Sequence, residues 1–180
     1  LDTKVSSTLS NMAKEYGVTL NTLLISVYTV LLYRYTGQED IIIGSLVAGR
    51  RHPDVENMIG MFNNFIPVRN RFKPDNTFKE LVHIVNDSVF GAYENQDYPY
   101  DMMVEKFAYR TERSRNPLFD TMLIFHNELE KEIKLGIDGL EFELHKTVSN
   151  TSKLDFKLDV YTGKSGELEC IIEYNTGLFR

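Results

Sequence analysis

Lys153-Leu154-Asp155-Phe156-Lys157-Leu158-Asp159-Val160-Tyr161 carries the clearest structural signal in the chain, and Leu168-Glu169-Cys170-Ile171-Ile172-Glu173-Tyr174 answers it a few residues later. In the first run apolar residues alternate with Asp155, Lys157, Asp159 and Tyr161, the period-2 pattern of a strand with one buried face. Between the runs, Thr162-Gly163-Lys164-Ser165-Gly166 is a glycine-bearing turn, so the pair predicts a β-hairpin. Cys170 shares the parity of Leu168 and Ile172, which predicts a buried, inert thiol.

Working upstream, Leu118 to Phe125 is a continuous apolar run of strand length, and Leu140, Phe142 and Leu144 alternate with polar neighbours. Ile41 to Val47 reads as a strand buried on both faces. Phe62 to Val68 reads as another, placed at a sheet edge or strand end because Pro67 lacks a ladder donor. The loop Ala48 to Pro53 lies between them. Helices dominate the first half. Leu9, Met12, Ala13 and Tyr16 share one face before Gly17; Thr19 caps a second helix, Leu20 to Tyr35, which is apolar nearly all round and ends near Gly37. Thr77-Phe78-Lys79-Glu80 is a capping box opening a third, and Pro99 suits the first position of a short helix running to Phe107. Helices early, strands late and no clean βαβ repeat predict an α/β (α+β) sandwich, a mixed β-sheet flanked by helices.

The chain has 180 residues, 42% of them hydrophobic, and a formal net charge of −6. That is enough for one core, in one domain or one lobe of a larger one. An acidic balance without a Lys/Arg stripe argues against nucleic acid as the partner. One cysteine excludes a disulfide framework and favours a reducing compartment, so a cytoplasmic location is expected. Leu20 to Tyr35 is broken by Asn21, Thr22, Ser26 and Thr29 and falls short of the roughly 20 apolar residues of a membrane span. No membrane association is expected. The start at Leu1-Asp2-Thr3-Lys4, without Met or a signal-like core, suggests a piece of a longer polypeptide.

Little in the chain looks like a self-contained catalyst. His52, His83, His126 and His145 are the neutral-pH base candidates, and none stands in a metal-ligand pattern. No GxSxG nucleophile elbow occurs. Gly163-Lys164-Ser165 resembles the tail of a phosphate loop, but the upstream glycine is missing and a hairpin turn accounts for the triplet. Asn86-Asp87-Ser88 and Asn150-Thr151-Ser152 match the glycosylation sequon without a secretory signal.

Three segments remain: Ile59-Gly60-Met61-Phe62-Asn63-Asn64-Phe65-Ile66-Pro67-Val68-Arg69, Asn95-Gln96-Asp97-Tyr98-Pro99-Tyr100-Asp101, and Ser114-Arg115-Asn116-Pro117-Leu118-Phe119-Asp120. In order and separation they resemble the motifs IGxFxNxxPxR, NQDYPF and RDxSRNPLFD of nonribosomal peptide synthetase condensation domains. Ser152 to Phe156 and Glu173 to Phe179 resemble that family's SKFDL and EYNTDLF stretches, so the resemblance covers essentially the whole chain. It implies a chloramphenicol acetyltransferase-like lobe. Residues 1–180 would be the C-terminal lobe, and the HHxxxDG motif, which does not occur here, would belong to a preceding N-terminal lobe.

The implied activity is amide formation between a carrier-bound aminoacyl amine and an upstream carrier-bound acyl or peptidyl thioester, in a tunnel between the two lobes. The catalytic histidine would come from the other lobe, leaving this fragment inactive alone. No cofactor would be bound directly; the phosphopantetheine arm would be presented by donor and acceptor carrier domains, with an adenylation domain adjacent. Asn64, Asn116 and Arg115 are the candidates for the substrate tunnel. Two readings of Asn116 stand, a tunnel-facing amide and a turn former before Pro117. Where most relatives place Thr after the motif asparagine, Phe65 stands here and implies a narrower or more apolar channel.

Arg110 and Arg113 are the candidates for docking the carrier's phosphate, with a solvated role as the competing reading, and Arg115 pairing internally is the competing reading for that residue. Gly60, Phe62, Arg69, Gln96, Asp97, Pro99, Ser114, Pro117 and Asp155 complete the motifs as structural residues. Alternatives to condensation are a non-catalytic carrier-docking scaffold, an epimerization-type domain and a stand-alone acyltransferase of the same superfamily.

Overall fold

Helix α1 (Thr3–Tyr16) begins where the Asp2 side chain accepts from the Val5 N–H and stops at Gly17, whose φ of 69° is open to glycine at no steric cost. Helix α2 (Leu20–Thr36) is capped by Thr19 and stops the same way at Gly37. Strand β1 (Asp40–Val47), the single turn α3 (Pro53–Glu56) and strand β2 (Asn64–Arg71) follow, then α4 (Phe78–Glu94) and α5 (Tyr100–Phe107). Strands β3 (Thr121–His126), β4 (Phe156–Thr162) and β5 (Leu168–Tyr174) finish the chain. This computed structural model describes residues 1–107, 115–126, 151–163 and 166–179. The expected strand around Leu140 to Leu144 lies outside them.

The strands form one five-stranded sheet in the order β2-β1-β3-β4-β5. The inner pairs β1–β3 and β3–β4 are parallel, and the outer pairs β1–β2 and β4–β5 are antiparallel. The hairpin and the mixed sheet are therefore as the alternation and element order predict, and Pro67 does sit on an edge strand. Helices α2 and α4 cover one face. Leu24, Ile25 and Tyr28 from the first, and Leu81, Val85 and Val89 from the second, pack with Ile43, Val68, Leu123 and Val160 into the main core. The capping box at Thr77 and Glu80 is complete, each side chain bonded to the other residue's backbone N–H.

Four local expectations are corrected. The strand read from Leu118 starts at Thr121, because Asn116 Oδ1 accepts from the Leu118 and Phe119 N–H groups and holds them in a turn. The strand read from Phe62 starts at Asn64 and runs on to Arg71. Upstream, the Arg50 guanidinium lies 4.4 Å from the Phe62 ring centroid and binds the Val55, Met58 and Gly60 carbonyls, which keeps that segment a loop. Downstream, Arg69 and Arg71 both reach Asp40 across the ladder.

Helix α2 is not buried all round: Val27, Leu31 and Tyr35, spaced four apart, are exposed. Cys170 is exposed as well, because β5 is an edge strand on which Leu168 is buried and Cys170, Ile171, Ile172 and Tyr174 are not. Partial desolvation of its sulfur nevertheless pushes the thiol pKa up, which favours the unreactive thiol form.

Candidate functional site

The three motif segments, far apart in the chain, meet around Tyr100. Asn64, the first residue of β2, donates from Nδ2 to the Gln96 and Tyr98 carbonyls, both at 2.8 Å. Its Oδ1 accepts from the Tyr100 N–H at 3.1 Å. The Tyr100 hydroxyl then donates to Asn116 Oδ1 at 2.7 Å. The phenol's partial burial pushes its pKa up, which keeps it a neutral donor at physiological pH.

Beside this polar line lies an aromatic cluster. Phe65, Tyr100 and Phe119 stand with ring centroids 5.6, 5.9 and 6.5 Å apart, in tilted and edge-on arrangements. Phe119 is buried against Gly44 of β1, where any Cβ would run into its ring. Phe65 thus supplies an apolar surface, and it spends that surface on Tyr100 and Phe119.

The remaining predicted residues divide between this centre and its surroundings. Arg115 Nη2 pairs with Asp155 at 2.8 Å, which ties the third motif to the start of β4. Asn64 lines a hollow of about 260 Å³ with Gly49, Phe62, Gln96, Asp97 and Pro99. Arg115 and Asp155 line a different one of about 420 Å³ with Asp40, Phe119 and Phe179. Asn64 and Asn116 are thus linked through Tyr100, while Arg115 is held separately by Asp155.

Gln96 Nε2 caps the end of α4 through the Tyr93 carbonyl, and Asp97 forms an exposed ion pair with Arg51 at 3.0 Å. Pro99 stands just before α5, its carbonyl accepting from Met103. Pro117 sits half-buried in the Asn116 turn. Gly60 serves the loop through its carbonyl, which Arg50 binds. Arg69 makes a bidentate pair with Asp40, and its guanidinium, with that of Arg71, holds the Asp40 carboxyl down at about 2. Arg110, Arg113 and Ser114 lie outside the described residues.

Three contributors escape the sequence reading. Arg50 organises the whole loop before β2, and Gly49 beside it adopts φ 65°, where a Cβ would strike the Phe62 carbonyl. Tyr100 is the bridge between the two asparagines. Its signal was present, since Tyr stands where the motif NQDYPF has Phe, and the added hydroxyl is the group that reaches Asn116. Elsewhere, His126 Nε2 lies 3.0 Å from Asp159, which also pairs with Lys157 at 2.8 Å.

The family profile described as "Condensation domain" matches residues 1–180. The chain belongs to the condensation-domain family. Bacitracin synthase 3 of Bacillus licheniformis is 43% identical over 180 residues, all of this chain and 3% of its own length. Gramicidin S synthase 2 of Brevibacillus brevis is 38% identical over 177 residues, 98% of this chain and 4% of its own length. The chain thus spans a few per cent of the length of these synthases.

Among solved structures, a four-domain nonribosomal peptide synthetase bound to AMP and glycine superposes with a TM-score of 0.84 at 26% identity, over 100% of this chain and 15% of its own. The condensation domain of the monacolin K polyketide synthase gives a TM-score of 0.84 at 21% identity, over 100% of this chain and 41% of its own. The fold of this condensation-domain chain is accordingly the chloramphenicol acetyltransferase-like one, a mixed sheet flanked by helices.

Proposed function

We propose that this chain is the C-terminal lobe of a condensation domain that joins a carrier-bound aminoacyl amine to an upstream carrier-bound acyl or peptidyl thioester. The amine nitrogen attacks the thioester carbonyl; a C–N bond forms, the C–S bond breaks, and the proton lost by the amine ends on the leaving thiol. The observation that carries the reading is the convergence of the three family motifs on one cluster, in which Asn64, Tyr100 and Asn116 are bonded in series. Its relatives include synthases of bacitracin and gramicidin S, and a structural neighbour is a multidomain synthetase.

In this reading the motif residues act as positioning residues. Asn64 and Asn116 spend their oxygens, and Asn64 its nitrogen as well, on the backbone and on Tyr100, so they fix the shape of the tunnel wall. Arg115 and Asp155 brace it. A rigid wall matters, because aligning two tethered reactants can supply roughly 7 to 11 kcal/mol of the barrier. The histidine that assists the amine would come from an HHxxxDG lobe. Partners would be that lobe, donor and acceptor carriers with their phosphopantetheine arms, and a neighbouring adenylation domain, all cytoplasmic. Arg110 and Arg113 would meet the carrier's phosphate.

The test is intact-mass detection of the amide with two loaded carriers, comparing this chain with the polypeptide extended upstream by one lobe. Product from the extended protein alone is expected. Loaded carriers that bind both proteins and yield no amide with either would move the reading to a docking scaffold.

A further inference from the structure

A hollow of about 530 Å³ lies away from the motif cluster, where the N-terminal turn of α2 and the second half of α4 meet the ends of β1 and β3. Those two strands are adjacent and parallel, so their carboxyl ends open on one edge of the sheet. In open α/β sheets that edge is where ligands enter, because the strand ends diverge there and leave a crevice. The volume is in the range of a small-molecule site.

The lining has a definite chemistry. Among the described residues none of those lining it carries a charge. Leu46, Phe90 and Phe125 give apolar wall, and Asn21, Asn86 and Tyr93 give uncharged hydrogen-bonding groups. Phe90 is 63% exposed, a large aromatic left uncovered on the flank of this hollow.

Asn21 is the informative residue. Its Oδ1 is shut off from solvent and accepts no hydrogen bond, and its Nδ2 has only a 3.5 Å contact with the Tyr93 hydroxyl. Turning the amide over would give Tyr93 an acceptor and strand the nitrogen instead, so neither orientation satisfies the group. The neighbouring threonines offer nothing, since Thr19 and Thr22 bond to each other. Burying an unmet amide has a cost in the free protein, and rotating this side chain toward a ligand would sacrifice little.

We propose that this hollow binds an uncharged, amide-bearing ligand with an apolar body, and that Asn21 reads the amide. A charged group entering it would lose water and meet no counter-charge from the described lining. Resting on the function proposed above, the inference names the substrate end this lobe receives. The amide can come from the carrier arm or from the aminoacyl or peptidyl group.

The experiment is a direct binding titration of the polypeptide carrying this chain, with no carriers and no turnover. Its ligands are pantetheine, N-acetyl-leucinamide and, as a charged control, N-acetyl-leucine carboxylate. At least one neutral amide should bind ten times or more tightly than the carboxylate, and which one binds identifies the source. Asn21→Leu should weaken that binding at least tenfold with an unchanged or higher Tm, because it replaces an unsatisfied polar group. Phe90→Ala, a change at an exposed position, should weaken it several-fold with the fold intact.

A carboxylate that binds as well as the amides overturns the proposal. So does an Asn21→Leu protein that melts earlier and binds normally, which would make Asn21 structural, or a Phe90→Ala protein with undiminished affinity. Because binding is read without turnover, a failed condensation assay beside retained amide binding would sink the proposed reaction and leave this site standing. Amide formation without amide binding here would do the reverse.

Discussion

Replacing Asn64 by Asp changes one NH₂ into an oxygen and leaves the shape of the side chain alone, so the outcome isolates what the amide does. The Tyr100 N–H keeps its acceptor. The Gln96 and Tyr98 carbonyls, each now 2.8 Å from Nδ2, lose their donor and face an anion. A hydrogen bond contributes about 1 kcal/mol net, and leaving a buried acceptor unpaired costs about 1 to 3 kcal/mol. The bond to Tyr98 is exposed and that to Gln96 part-buried, so water replaces some of the loss and about 2 kcal/mol is the expected destabilisation at neutral pH. For a chain of this size that is a fall in Tm of about 4 to 8 °C by circular dichroism.

The pH dependence gives a second reading of the same geometry. Two carbonyls facing the introduced carboxylate disfavour its charged form, so its folded pKa lies above the ordinary value near 4. The protonated acid can donate to one carbonyl. The anion's share of the penalty is therefore absent below about pH 4, grows as pH rises toward the folded pKa and is constant above it. An Asn64→Asp protein that melts within about 1 °C of the parent at pH 7 would refute the assignment of Asn64 as the clamp on the second motif. Full stability with a lost condensation rate would show instead that the amide faces substrate.

Gly44→Ala should destabilise the protein by about 1 to 3 kcal/mol in urea unfolding, since the new methyl overlaps the buried Phe119 ring; a neutral result would mean that the ring is free to move aside. Phe65→Thr should cost about 1 to 2 kcal/mol by the same assay, from two lost aromatic pairs at 5.6 and 6.5 Å. Asp40 is held at about 2 by its hydrogen bond from Arg69 and the further one from Arg71, so the stability it adds is present above about pH 4 and fades as pH falls toward 2. The stability gap between parent and Asp40→Asn, followed by acid titration of Tm, should close over that interval, and a gap unchanged at pH 2 contradicts the pairing.

Much of the framework is written in short stretches of chain. Thr77 and Glu80 are three residues apart and cap α4 by themselves, Gly17 and Gly37 stop their helices through their own backbone freedom, and the alternation between Leu154 and Tyr174 announces the antiparallel pair β4 and β5. The same holds for family membership, because the three motifs are local strings. Each of these signals depends on neighbours a few positions away, and those neighbours are present in the unfolded chain.

What the motif residues do was decided by tertiary structure. Asn64 finds its acceptors 32 and 34 positions on, and Tyr100 reaches Asn116 across 16. Arg115 meets Asp155 across 40. No periodicity encodes such partners, since they come within reach only when the sheet assembles. The same cause lies behind the exposure of Cys170 and of the Val27-Leu31-Tyr35 stripe. Alternation and helical spacing record which side chains are apolar. Which of those faces is covered depends on the position of β5 at the sheet edge and on what packs over α2, and chain order alone does not carry that information.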